Sequence, residues 1–241
     1  MTEIITSTAP GTGTGATPPP AEEVATAPAA TVRTKVPAPR WAVWMRRSSW
    51  ALMAMAVLIV GYVGTLIGYQ SFEQRRLSAA WDQANPTSAI KDVTRTNGTL
   101  DTFAVVPHMA SGQAMAKLSM PSVGYSAIVT EGSETGVLSS GPGHDAHTSY
   151  PSEGGLILMD NHNGFSMSWD GLHQGDEIVV EMPYGRYHYK IFDRFTMSGD
   201  DPKVVTAKYP HETLVLMTCW PLWQGSLAKD RLVLEASPVT G

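Results

Sequence analysis

The longest apolar run in the chain covers residues 48–72, SSWALMAMAVLIVGYVGTLIGYQSF, and holds no Asp, Glu, Lys, Arg or His. A helix rising 1.5 Å per residue crosses a ~30 Å hydrocarbon core in ~20 mostly apolar residues. The run is long enough. It lacks the polar face a core helix keeps, and it is longer and further from the N-terminus than the ~7–15-residue apolar region of a secretory signal. The pattern predicts one transmembrane helix over 48–72.

From about Gln113 the texture turns to short apolar runs broken by Pro and Gly. AMAKLSMPSVGYSAIVTEG and GGLILMD read as strands, and DEIVVEMP and GRYHYKIFDRFTM as a hairpin across residues 183–185. KVVTA, TLVLMTC and DRLVLEAS complete seven or eight strands at short spacing, the pattern of an all-β barrel or sandwich. SMSWDGLHQG reads as one or two helical turns. The remaining segments follow by composition. Residues 1–47 begin with an Ala/Thr/Pro/Gly-rich stretch that buries too little to order itself, and are expected to be a disordered tail. Residues 73–111 are expected to be stalk and linker, with EQRRLSAAWDQA extending the helix until Asn85-Pro86 breaks it. Residues 112–241 are expected to form the folded domain.

Charge assigns sides. The 241 residues carry a net −5, but residues 1–100 hold nine Lys/Arg against six Asp/Glu, and the remainder eight against sixteen. An acidic body excludes a nucleic-acid partner, which needs a basic face. Arg33, Lys35, Arg40, Arg46 and Arg47 precede the apolar run, and Arg75 and Arg76 follow it. Positive flanks stay inside, so the N-terminus is expected to be cytoplasmic and the domain extracytoplasmic. Trp50 and Tyr69 suit the interfacial belt.

That topology gives meaning to the one cysteine of the chain, Cys219, in TLVLMTCWP. A free cysteine is often just a small buried residue. Outside the cytoplasm, however, thiols tend to pair, and a lone one points to reactivity or an intermolecular bridge. A cysteine nucleophile needs a proton donor for its leaving group, commonly a histidine. Of seven histidines, His188 lies within a strand pattern, and His108, His173 and His211 lie in loops or turns. His144 and His147 share the loop GPGHDAHTSYP, and His162 follows the strand in LILMDNH. Placement at a rigid strand's end ranks His162 first and His144 second. No Cys/His spacing supports a zinc site, so neither metal nor cofactor is expected. Arg231 opens the last strand. If that strand pairs antiparallel with TLVLMTC, Cys219 and Arg231 face each other, and the guanidinium can steady an oxyanion.

These residues, in this order, resemble the sortases, cysteine transpeptidases of Gram-positive cell surfaces. LMTC at residues 216–219 matches the family's Leu-x-Thr-Cys signature. LHQGDEIVV matches the Gly-Asp and strand after its histidine, and Arg231 matches the arginine early in its last strand. The resemblance spans residues 117–236. It implies a sortase-like eight-stranded β-barrel with short helices, preceded by the transmembrane helix. It further implies Cys219 as nucleophile, His162 as general acid/base and Arg231 for the oxyanion, with Thr218 and Trp220 at the substrate. The implied reaction cleaves an LPxTG-like sorting motif and passes the protein, as a Cys thioester, to a cell-wall or pilin amine. The partners would be sorting-signal-bearing surface proteins and that amine acceptor. No second apolar span follows, which disfavours the pilin-polymerising kind. One departure is plain: the family usually has Gly before the histidine, and this chain has Asn161. That residue motivates the alternative of a non-catalytic, membrane-anchored β-barrel interaction protein. The motif of an L,D-transpeptidase is absent.

Overall fold

The computed structural model describes residues 39–93 and 106–239. Helix α1, Arg40–Ala84, is continuous and stops where Asn85-Pro86 was expected to break it. Its apolar part, Arg40–Thr65, is long and apolar enough to cross a membrane, and none of it is buried by protein. The chain divides into units at Leu52/Met53, so the packing described below belongs to the second unit, Met53–Gly241.

Eight strands close into a barrel in the order β1-β2-β3-β4-β7-β8-β6-β5. They are β1 Ala114–Met120, β2 Tyr125–Glu131, β3 Gly143–His144, β4 Leu156–Asn161, β5 Glu177–Met182, β6 Gly185–Ser198, β7 Thr213–Trp220 and β8 Asp230–Pro238. The expected hairpin is β5–β6, with Met182 opposite Gly185. The β2–β3 and β4–β7 pairs are parallel, and the others antiparallel.

Strand alternation sorts the side chains onto two faces. Ile157 and Met159 of β4, Leu214 and Leu216 of β7, and Leu234 and Ala236 of β8 fill the barrel with Met115, Trp169 and Tyr189. The intervening Leu158, Val215 and Val233 form a smaller cluster on the outer face with Val204. Burial of apolar area drives both clusters, at about 25 cal/mol per Å².

Two local expectations change. KVVTA is not a strand: Lys203–Thr206 is a short helix, with Val204 buried in the outer cluster. The helical turn lets Val204 pack against the outer cluster while Val205 stays exposed. The loop GPGHDAHTSYP conversely contains β3. Gly143 fits there because a Cβ would collide with the Gly132 carbonyl. His144 is fully buried, with Nδ1 at 3.0 Å from Glu131 Oε2.

Part of the expected stalk and linker packs onto the barrel. Trp81 and Ile90 are buried. Gln74 bonds the backbone of Ile128, and Lys117 reaches Asp82 at 2.8 Å. Asp92 bridges to Arg186 both by backbone and by a 3.0 Å ion pair.

Candidate active site

Cys219 lies near the end of β7 and is half-buried. In the β7–β8 ladder it stands directly opposite Arg231. In the β4–β7 ladder the last pair is Asn161 with Thr218, so His162 and Cys219 are the residues that follow that pair on the two parallel segments. Alternation carries Met217 and Cys219 to the outer face, and with them Asp160, His162 and Arg231. A cavity of about 240 Å³ there is lined by Leu138, Asp160, His162, Met217, Cys219 and Arg231, with Asn161 and Thr218 at its base.

The His162 turn is held from both flanks. Ser166 Oγ donates to the His162 carbonyl at 3.0 Å. That proton is committed, so the 2.6 Å contact between Ser166 and Thr218 has Thr218 as donor. The Thr218 side chain is therefore turned inward and buried, tying the nucleophile strand to the histidine turn. Asn163 Nδ2 donates to the Gly225 carbonyl at 2.8 Å, linking the same turn to the β7–β8 connection. Asn161 is also buried, and its Nδ2 donates to Tyr125 Oη at 3.1 Å, so the amide reaches into the barrel.

Arg231 makes no ion pair among the described residues; its Nη1 donates to its neighbour's carbonyl, Asp230 O, at 3.1 Å. A surface arginine would ordinarily find an acid, whereas this one keeps its donors for the cavity. Gly199 underlies it, where a Cβ would lie 2.8 Å from Nη1. Trp220 is half-buried and sits 5.8 Å from the Arg194 guanidinium.

Of the seven histidines, His162 alone lines this cavity. His144 is sealed between Glu131 and the Ser149 carbonyl. His108 stacks on Tyr150, His147 sits beside Asp145, and His188 lies between Glu177 and Asp92. Among the described residues there is no cluster of His, Cys, Asp and Glu able to hold a metal.

Asp160 is a cavity residue that motif reasoning passed over. Burial, and then the nearby charge of Asp145, push its pKa up to about 7, while Arg231 and His144 oppose the rise. Its only trace in the sequence is the spacing in MDNH, two residues before the histidine and thus on the same strand face.

A thiol, an imidazole and a guanidinium without an ion pair among the described residues thus line one cavity on the outer face of a closed eight-stranded barrel. The chain matches the Sortase domain family over residues 118–239 and belongs to the sortase family. It is 27% identical over 196 residues to Sortase D of Bacillus subtilis (strain 168), covering 78% of this chain and 96% of that protein. The structure of a Clostridium perfringens Sortase D5 transpeptidase is similar at 25% identity with a TM-score of 0.50, covering 55% of this chain and 82% of that one. Family membership makes the protein a transpeptidase acting on surface proteins and amine acceptors, and with the apolar helix it indicates membrane anchoring.

Proposed function

We propose that the protein is a membrane-anchored transpeptidase in which Cys219 attacks the Thr–Gly carbonyl of an LPxTG-like sorting motif. His162 protonates the departing amine, and Arg231 steadies the tetrahedral oxyanion. The acyl group rests on Cys219 as a thioester until a cell-wall or pilin amine displaces it. Thr218 positions the nucleophile through Ser166, and Trp220 borders the bound peptide. The N-terminus faces the cytoplasm, with 1–47 a tail and 48–72 the membrane span. The catalytic body takes in the packed helix segment that includes Gln74 and Trp81 as well as residues 112–241. The observation that carries this reading is the register of Cys219 opposite Arg231, with His162 beside the thiol in one cavity.

The test incubates the full chain in detergent with sorting-motif peptides and an amine, and weighs the protein by mass spectrometry. A thioester adduct that is absent in Cys219→Ala supports the proposal. Failure of every peptide to form an adduct overturns it in favour of a non-catalytic barrel.

A further inference from the structure

The cavity lining holds one acidic group that the reaction above does not use. Asp160 lies opposite Met217 in the parallel β4–β7 pair, one step along the strand from His162 and Cys219 on the same face. It is the acidic side chain of the cavity lining, and Leu138 and Met217 are the lining's apolar members. Among the described residues its carboxyl makes no hydrogen bond and no ion pair.

The surrounding charges do not satisfy it by contact. Toward β3, Asp145 repels it and is itself bonded to His147. His144 attracts it, but Nδ1 of that ring is held by Glu131 and Nε2 faces the Ser149 carbonyl. On β8, Arg231 attracts it while donating to Asp230 O. His162, just past the end of β4, and Cys219 on β7 complete the titratable groups of the cavity. A partly buried carboxylate without a donor is costly, because desolvation is uncompensated. A group that the fold leaves uncompensated, inside a substrate cavity, is positioned to be compensated by what enters.

We propose that Asp160 binds an ammonium group of a substrate, pairing with it in the cavity beside Cys219. A cation supplies both the hydrogen bonds and the counter-charge that the carboxylate lacks. Leu138 and Met217 give its methylene stem an apolar wall to lie against. Two sources share this chemistry: a lysine side chain in the sorting peptide, and a second ammonium carried by the acceptor, because the amine that attacks the thioester must itself be neutral. The inference rests on Cys219 being the nucleophile.

The experiment uses the full chain in detergent and reads ratios, so that the ionisation of Cys219 and His162 cancels. One arm compares kcat/KM for motif peptides carrying lysine or uncharged norleucine at the variable position. The other compares resolution of the thioester by diglycyl-lysine amide with resolution by diglycyl-norleucine amide, whose attacking α-amines ionise alike. The expected result is a preference for the cationic member of about tenfold or more near pH 8 in one arm, identifying the source. The preference falls toward unity as the pH drops through about 7, because protonation of Asp160 removes the counter-charge. Asp160→Asn removes the preference and its pH dependence, and Asp160→Glu keeps it. A ratio near unity in both arms, or one unaltered in Asp160→Asn, overturns the inference while leaving the Cys219 assignment standing. Absence of any thioester overturns both.

Discussion

Gln74 and Ile128 are joined by two hydrogen bonds. The Ile128 N–H donates to Gln74 Oε1 at 3.0 Å, and the Ile128 carbonyl accepts from Nε2 at 3.2 Å. β2 pairs with β3 only at Thr130 and Glu131, so no strand covers Ile128 on that edge. One side-chain amide of α1 therefore does what one residue of a neighbouring strand would do. Nε2 also donates to the Ser140 carbonyl at 2.6 Å, just beyond the short helix α2, Thr135–Leu138, whose Leu138 lines the Cys219 cavity. The helix that carries the apolar span is thus bonded to a wall of the site.

Gln74→Leu keeps the approximate volume and leaves the Ile128 N–H, the Ile128 carbonyl and the Ser140 carbonyl without their partner. Each unsatisfied buried group costs about 1–3 kcal/mol. At ~2–4 °C per kcal/mol for a domain of this size, thermal unfolding of the full chain should shift down by several degrees. A melting point equal to wild type would show that water replaces the amide at no cost.

Arg231→Ala should lower kcat/KM about 10²–10³-fold, the usual loss for one oxyanion donor, with Cys219 still reactive toward iodoacetamide. Gly199→Ala tests the same guanidinium indirectly. Its Cβ would lie 2.5 Å from the Lys229 carbonyl and 2.8 Å from Arg231 Nη1, so backbone or guanidinium must move. A displacement of about 1 Å can cost a hundredfold in rate, and steady-state kinetics should show a loss without loss of thiol reactivity.

Glu131 Oε2 accepts from Tyr150 Oη at 2.6 Å and lies 3.0 Å from His144 Nδ1, all of them buried. Glu131→Leu should cost about 3–5 kcal/mol, because removing one member of a buried polar pair strands the other. Urea unfolding of the full chain would measure it. A cost below about 1 kcal/mol would mean that His144 and Tyr150 find other partners.

Asp160 gives stability a pH slope of known sign. Its pKa rises from 3.8 to about 7 on folding, through burial first and Asp145 second. Between about pH 4 and 7 the folded state keeps a proton that the unfolded chain has released. Stability is thus highest below about 4, falls as the pH rises across that window, and levels off above about 7. Asp160→Asn should flatten this part of the curve and melt higher than wild type near pH 8. A variant that melts lower there would contradict the burial argument. A site residue whose removal stabilises the fold is a familiar exchange of stability for activity.

Cys219 is the only thiol in the chain and is half-buried, so labelling it reports topology directly. A membrane-impermeant maleimide added to intact cells should label the wild-type chain and leave Cys219→Ala unlabelled. Labelling that appears only after the cells are opened would place the domain inside.

Much of the architecture was written in local pattern. The charge-free run, the alternation in the β5–β6 hairpin and the apolar strands around Met159 and Leu216 follow from burial and strand period, which act over a few neighbouring residues. So did the Cys219–Arg231 pairing, because a short connection between two strands leaves few registers open. KVVTA misled because β-branched residues favour a strand, whereas the outer cluster that takes Val204 from a helical turn is built by residues of other elements. His144 likewise read as a loop residue, since nothing near it in sequence announces that Glu131 and Tyr150 will enclose it. Asp160, Ser166 and Gln74 were silent for the same reason. What each meets lies far along the chain, and only folding brings a carboxyl into the cavity with Cys219, a hydroxyl between His162 and Thr218, or an amide against Ile128. The sequence alone carried the long apolar run, most of the strands and the candidate thiol, imidazole and guanidinium, because each is a local pattern or a single residue's chemistry. The tertiary structure decided which groups are left without an ion pair, and that depends on long-range packing, through which Asp160 and Arg231 line one cavity with no ion pair among the described residues.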